Sequence, residues 1–230
     1  MNINFFWKGN NFDKWCELCI LSHIKVGHQV IIWLSGKEPN TIEWFNIKNK
    51  ITINDANKIF NVNDFINNGG NNQTASALWR FHFLYDIGGW YCDTDAYAIQ
   101  HFPDIKWAIG SAEDKNLLSI GVMKLPTKHP ILLKCIDKIQ YNWGNVKVFT
   151  EAWKEYFNNI NPTVPNEMFY PWTWKEWNNI YKKISINDLI NQKVYSIHLY
   201  HTMLKRNNIK CKKVIKPCLI NELIDYAKIL

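Results

Sequence analysis

The sequence predicts one α/β domain, a mixed sheet flanked by helices, with an irregular C-terminal portion. Its opening, "NINFFWKG", "NNFDKWCELCILSHIKVGH" and "QVIIWLSG", reads as a strand–helix–strand unit. Strand-type and helix-type patterns then alternate to about residue 160. With 230 residues, 47% of them hydrophobic and 20% charged, the chain can bury one substantial core, which argues against disorder and against two equal domains.

The first strand spans residues 2–9, the helix after it stops at Gly27, and residues 29–36 form the second strand. "KITINDANKIF" adds a third strand and a turn, and "VNDFINNGGNNQ" reads as a polar loop. In "TASALWRFHFLYDIGG", Leu78, Phe81 and Tyr85 recur at helical spacing beside Ala77 and Leu84, and a Gly-Gly pair suits a helix C-terminus. "WYCDTDAYAI" is dense in aromatic and apolar residues, as in a mostly buried strand running out into a turn. "WAIGSAED" and "LLSIGVMKLP" suggest two more strands, and "HPILLKCIDKIQYNW" and "VFTEAWKEYFNNI" two helices. From residue 162 the text is aromatic and irregular, until "KVYSIHLYHTML" offers a late strand.

No stretch approaches the roughly 20 apolar residues of a membrane span, and the N-terminus lacks the basic start and apolar core of a secretory leader. A soluble, cytoplasmic protein with free thiols is therefore expected. Cys16 and Cys19 form a CxxC inside a helical pattern and are expected as buried helix cysteines, since zinc or redox chemistry would need matching partners. Of the formal charge of +7, residues 204–217 hold six basic residues and no acid. Such a segment suits phosphates, a nucleic acid, an anionic membrane surface or simply water. Aromatic and basic residues are not interleaved on a recognisable module, so no nucleic-acid partner is expected.

Asp93 and Asp95 are the unusual feature of the apolar run. Two apart in a strand, they would present both carboxylates on one face. Converging anions need a metal, an arginine or a shared proton, and oxygen ligands favour Mg²⁺ or Mn²⁺ over zinc. The acid–base pair of a glycosidase is a poorer fit, because those carboxylates flank the bond from two sides.

The surrounding "ASALWRFHFLYDIGGWYCDTDA" resembles the sugar-binding region of a DxD-containing glycosyltransferase family. The match covers Ser76, Arg80, Leu84, Tyr85, Gly88, Gly89, Tyr91, Asp93, Thr94 and Asp95, and weaker echoes run nearly the full length, through "GHQVIIWL", "DANKIF", "GNVKVFTEAW", "FYPWTW" and "SIHLYHTM". The resemblance implies a single GT-A domain over residues 1–230, with a nucleotide-sugar-binding part over about 1–125 and an acceptor-side part over about 126–230. It further implies a metal-dependent hexosyltransferase that uses a nucleotide sugar, a UDP-sugar foremost, on a glycan or lipid-linked acceptor, with retention of configuration. A catalytically silent nucleotide-sugar or glycan-binding module is the alternative from another class. A peripheral membrane contact through basic residues 205–216 is compatible with either.

Carried over residue by residue, the resemblance makes Asp95 a direct metal ligand and Asp93 a ligand to the metal or the donor ribose, with Mn²⁺ or Mg²⁺ as the cofactor. Asp93, Asp95 and Arg80 form the implied catalytic set. Ser76 and Arg80, at i and i+4 of one helix, face the donor sugar and diphosphate. His198 matches a late metal-side histidine, and Trp7 and Asp55 match the nucleotide side. Trp172, Trp174 and His201 are acceptor-side candidates, since aromatic faces stack on sugar C–H faces. One departure stands out: the acid expected after Ser76 is Ala77 here, which bears on the identity of the donor sugar. The family's Gly-Pro before a late threonine reads here as Gly144 and Asn145.

Overall fold

The computed structural model describes residues 1–111, 116–139, 145–159 and 161–227. Gly144 and the ends of "WAIGSAED", "HPILLKCIDKIQYNW" and "VFTEAWKEYFNNI" lie outside the described residues. Strand β1 (Asn2–Lys8) leads through helix α1 (Lys14–Lys25) to β2 (Gln29–Ser35), then through α2 (Ile42–Ile47) to β3 (Thr52–Asp55). Helices α3 (Val62–Asn67) and α4 (Asn72–Asp86) precede β4 (Gly89–Cys92) and β5 (Ala96–Ala98). Strands β6 (Ala108–Ser111) and β7 (Leu118–Leu125) follow, then helices α5 (Pro130–Lys138), α6 (Asn145–Phe157) and α7 (Ile186–Asn191). Strand β8 (Ser196–His198), α8 (His201–Arg206) and α9 (Leu219–Ala227) complete the order.

Six strands pair as β3-β2-β1-β4-β7-β6, parallel from β3 to β4 and antiparallel through β7 and β6. This is the expected mixed sheet. Strand alternation divides its side chains between two cores. Ile3, Phe5, Trp90 and Cys92 pack with α1 and α2, whereas Phe6 and Tyr91 pack with α4, α5 and α6. A third cluster joins the outer face of α1, through Trp15, Leu18 and Cys19, to Tyr97, Ile197 and helices α7 and α9. The six cysteines are thiols outside any disulfide, and Cys16 and Cys19 are buried helix residues as expected.

Helix α4 ends where its sequence says it should. Gly88 has φ +72°, a left-handed turn, and a Cβ there would meet Thr127 Cγ2 at 2.7 Å. Only glycine both turns the chain and lets β4 start against the β7 end. Two local expectations are corrected. The supposed polar loop over 62–73 contains α3, capped by the Asn61 side chain on Asp64 N. "KVYSIHLYHTML" is a three-residue strand followed by helix α8, because Tyr200, at φ 52° and ψ 57°, ends the extended run.

Helix α1 is locked to β5 by polar contacts that the hydrophobic pattern does not reveal. Ala98 N donates to Ser22 Oγ (2.8 Å), and Phe102 N donates to His28 Nε2 (3.0 Å). His28 must then donate from Nδ1 to His23 Nδ1 (3.1 Å), which leaves His23 Nε2–H for the Ala96 carbonyl (3.1 Å). The chain is satisfied only when both rings are neutral. Burial pushes His23 down to about 3 and His28 down to about 2. The unfolded chain, titrating near 6.5, therefore binds more protons below that pH, and stability is lost as pH falls from 6.5 toward 3. Urea unfolding at pH 7.5 and 5.0 should differ by on the order of 2 kcal/mol per histidine, and His23→Asn should flatten that dependence.

Candidate functional site

At the carboxyl ends of β1 and β4, where ligands of open α/β sheets gather, lies a cleft of about 790 Å³. Trp7 and Lys8 line it from β1, Asn72, Gln73, Ser76 and Arg80 from α4, and Asp93, Thr94 and Asp95 from the β4–β5 turn. The volume is within the range that encloses small ligands.

The two aspartates converge, but not by strand alternation. β4 ends at Cys92, and residues 94–95 form a turn closed by Ala96 N on Asp93 O (3.0 Å). The reading of both acids on one strand face is thus corrected to a turn that folds them toward each other. Each carboxylate has one oxygen fixed by the protein. Asp93 Oδ1 accepts from Arg80 Nη2 (2.6 Å) and Tyr91 OH (2.8 Å), and Asp95 Oδ2 accepts from His201 N (2.9 Å). The remaining oxygens face His198 Nε2, which stands 3.3 Å from Asp95 Oδ1 and 3.9 Å from Asp93 Oδ2. Asp93, Asp95 and His198 each offer one ligand atom, and these atoms lie within 4.8 Å of one another.

His198 arrives through a ladder, not through sequence proximity: β8 pairs antiparallel with β5 and sets Ala96 opposite His198. Its ring is flanked by Tyr170 and Tyr200, with centroids at 5.7 and 4.7 Å. Burial alone would lower its pKa, but the Asp95 and Asp93 carboxylates outweigh burial and raise it. Asp93 mirrors this, because Arg80 and His198 overcome burial and hold its carboxyl below the usual range. A proton on the imidazole would supply positive charge between the carboxylates. A divalent cation can take its place, and two carboxylate oxygens plus one imidazole suit Mg²⁺ or Mn²⁺ while leaving positions for other oxygen ligands. His198 Nδ1 is buried with no hydrogen-bond partner among the described residues, so the ring's polar engagement is with the carboxylates.

Gly121 is the residue of the candidate site that sequence reasoning missed. It lies on β7 directly beneath the cluster, and its carbonyl accepts from Asp93 N (2.6 Å). A Cβ there would stand 2.8 Å from His198 Nε2 and 3.1 Å from Asp93 Oδ2. The available signal was a glycine inside the strand run "SIGVMKL", which marks close approach by another group. Gly121→Ala should weaken divalent-metal binding about 10- to 100-fold, read by calorimetric Mn²⁺ titration, with the near-ultraviolet circular dichroism unchanged.

The other candidates divide. Trp7 lines the cleft, edge-on to Phe12 at 5.0 Å. Trp174 joins Asp95, His198, Tyr200, Met203 and Arg206 around an adjoining cavity, whereas Trp172 is 6% exposed and packs in the third core cluster. Asp55 is exposed, accepts from Asn57 N (2.9 Å) and does not line the cleft. His201 lines the cleft and is tied to both Asp95 and Asp13. Its backbone holds Asp95, and its Nε2 meets Asp13 Oδ2 at 2.7 Å, which helps hold the Asp13 carboxyl down to about 2 against the opposing effect of burial. Asp13 also caps α1, so the turn carrying Asp95 is tied to the start of that helix. Ala77 is 1% exposed within the core, and the cleft at this level is lined by Gln73, Ser76 and Asn145.

A mostly parallel six-stranded sheet flanked by helices is the GT-A architecture. Solved structures bear out the fold: PaToxG glycosyltransferase superposes over 98% of this chain and 83% of its own, with a TM-score of 0.54 at 15% identity. The apo form of the glycosyltransferase GlyE from Streptococcus pneumoniae TIGR4 superposes over 98% of this chain and 59% of its own, at 0.50 and 12%.

Residues 11–113 match the family described as "Glycosyltransferase sugar-binding region containing DXD motif". Among curated proteins, the chain is 26% identical to human alpha-1,4-N-acetylglucosaminyltransferase over 56% of its length and 43% of the relative's. It is 21% identical to lactosylceramide 4-alpha-galactosyltransferase of Pongo pygmaeus over 53% of its length and 64% of the relative's. The chain thus spans between two fifths and two thirds of these relatives. His198, His201 and Trp174 lie outside the family match.

Proposed function

We propose that the protein is a metal-dependent glycosyltransferase that moves a hexose from a nucleotide sugar, foremost a UDP-sugar, to a glycan or lipid-linked acceptor. The observation that carries this reading is the Asp93–Asp95–His198 cluster, each residue offering one ligand atom, beside a cleft lined by Trp7, Ser76 and Arg80. Asp93, Asp95 and His198 would hold Mn²⁺ or Mg²⁺, which, when bound, supplies positive charge against the developing diphosphate leaving group.

The protein's own residues do the rest. Arg80, 6% exposed on its side chain, keeps Asp93 ionised and in place. Trp7, at the end of β1, offers an aromatic face to a nucleobase, and the Ser76 hydroxyl faces the sugar. Trp174 and Tyr200 form the apolar wall of the adjoining cavity, where an acceptor sugar would stack. The names of both relatives specify α linkages; formed from an α-linked donor, such a product means retention, and retention is part of the proposal for this chain. Gln73 and Asn145 take the place of the usual acid at the sugar end, so uncharged amides would read the hydroxyls there.

The test is transfer and donor hydrolysis across a panel of nucleotide sugars with Mn²⁺, against the same panel in EDTA. Metal-dependent turnover of one donor supports the reading. Metal-independent turnover would overturn the site, and metal-dependent UDP binding with no turnover of any donor would assign a silent binding module instead.

A further inference from the structure

The basic segment after α8 is built as a protruding tip. Of its six cations, Lys205 meets Asp13 at 3.4 Å and Lys213 meets Asp225 at 2.5 Å. Arg206, Lys210, Lys212 and Lys216 are exposed and have no carboxylate within ion-pair reach among the described residues. At the apex stands Ile215, 104% exposed, the most exposed large hydrophobic side chain described. It is not there through slack. The Asn221 side chain accepts from Val214 N (2.9 Å) and donates to Val214 O (2.9 Å) and Lys216 O (3.0 Å), pinning both neighbours of Ile215. Beside the tip an apolar groove is lined by Tyr181, Val214 and Cys218.

We propose that this tip is a docking surface for an anionic lipid bilayer, with Ile215 entering the headgroup region and Lys210, Lys212 and Lys216 meeting lipid phosphates. Unpaired lysines draw the surface to anionic lipid, while an apolar side chain held into water gains free energy only when it leaves water. A nucleic acid would use the lysines but offers an exposed aliphatic side chain little, so the apex residue favours lipid. No helix among the described residues is long and apolar enough to cross a membrane, and contact through a surface tip needs none. The placement also has a consequence for the site. Helix α8 begins at His201 N on Asp95 and ends at Arg206, which lines the cavity beside the metal cluster. Six residues of helix span about 9 Å, so the basic segment follows directly on the helix whose first residue holds Asp95, and a docked tip is joined to the site through α8.

The test is co-sedimentation of the full chain with vesicles of phosphatidylcholine containing one quarter phosphatidylglycerol, and with vesicles of phosphatidylcholine alone. No donor or metal is present, so the result stands apart from the transferase reading. Wild type should bind the anionic vesicles and release them at high salt. The triple variant Lys210→Ala, Lys212→Ala, Lys216→Ala should bind about 100-fold more weakly, from roughly fivefold per lysine. Ile215→Ser, which leaves the charge unchanged, should lose about 10-fold. These side chains are exposed, so the melting temperatures should match wild type and separate lost binding from lost folding. Equal binding by wild type and Ile215→Ser would overturn the proposal. So would failure of wild type to bind anionic vesicles, and tight binding to a single-stranded RNA probe in that case would assign the patch to nucleic acid.

Discussion

In the proposed metal-dependent transfer, Asp95→Asn should lower turnover about 10³-fold, while the protein stays folded. Asparagine keeps the size of aspartate, and its carbonyl oxygen can still accept from His201 N, the contact that Asp95 Oδ2 makes at 2.9 Å. The turn should therefore survive. What changes is the atom that faces His198: the free Asp95 Oδ1, 3.3 Å from Nε2, becomes an amide nitrogen that can donate but not ligate. A divalent ion would lose one of its anionic ligands, leaving Asp93 Oδ2 and the imidazole. Mn²⁺ titration should show affinity reduced by at least about 10-fold, and the melting temperature without metal should stay within a few degrees of wild type. Turnover at wild-type rates, or Mn²⁺ binding of unchanged affinity, would remove Asp95 from the metal site.

How much of this site could be read from the sequence depends on how far apart its parts lie along the chain. Ser76, Arg80, Asp93 and Asp95 sit within one helix–turn–strand unit, so local periodicity and the Gly-Gly stop place them together. The reason for the convergence was misread, because a strand pattern cannot show that β4 ends one residue before Asp93. His198 lies far along the chain from these residues and belongs to no local pattern with them. Only the antiparallel register of β5 with β8, a non-local pairing, sets it opposite Ala96. Trp172 and Trp174 have the same composition-level signal, yet one fills the core and the other lines the cavity, a matter of backbone direction in an irregular segment. Gly121 carries no chemistry of its own and acts through the space it leaves.

Arg80→Met should be the most destabilising of the single changes considered. The guanidinium is nearly enclosed, donates to Asp93 Oδ1 (2.6 Å) and Tyr91 OH (3.2 Å), and lies 4.5 Å from the Tyr91 ring centroid. Methionine fills much of the volume but leaves Asp93 without its counter-charge. Removing one partner of a buried pair costs about 3–5 kcal/mol. Asp93 remains 31% exposed, so water recovers part of this, and about 3 kcal/mol is expected. For a chain of this size that is a fall of roughly 10 °C in melting temperature. The same reasoning predicts an unusual rescue. A divalent cation between Asp93 and Asp95 supplies the positive charge that Arg80 no longer gives, so Mn²⁺ should raise the melting temperature of the variant more than that of wild type. Differential scanning calorimetry of both proteins, with Mn²⁺ and with EDTA, reads the two effects together. An equal rise in both proteins would mean that Arg80 and the cation do not share Asp93; a variant as stable as wild type in EDTA would mean that the buried pair contributes little to the fold.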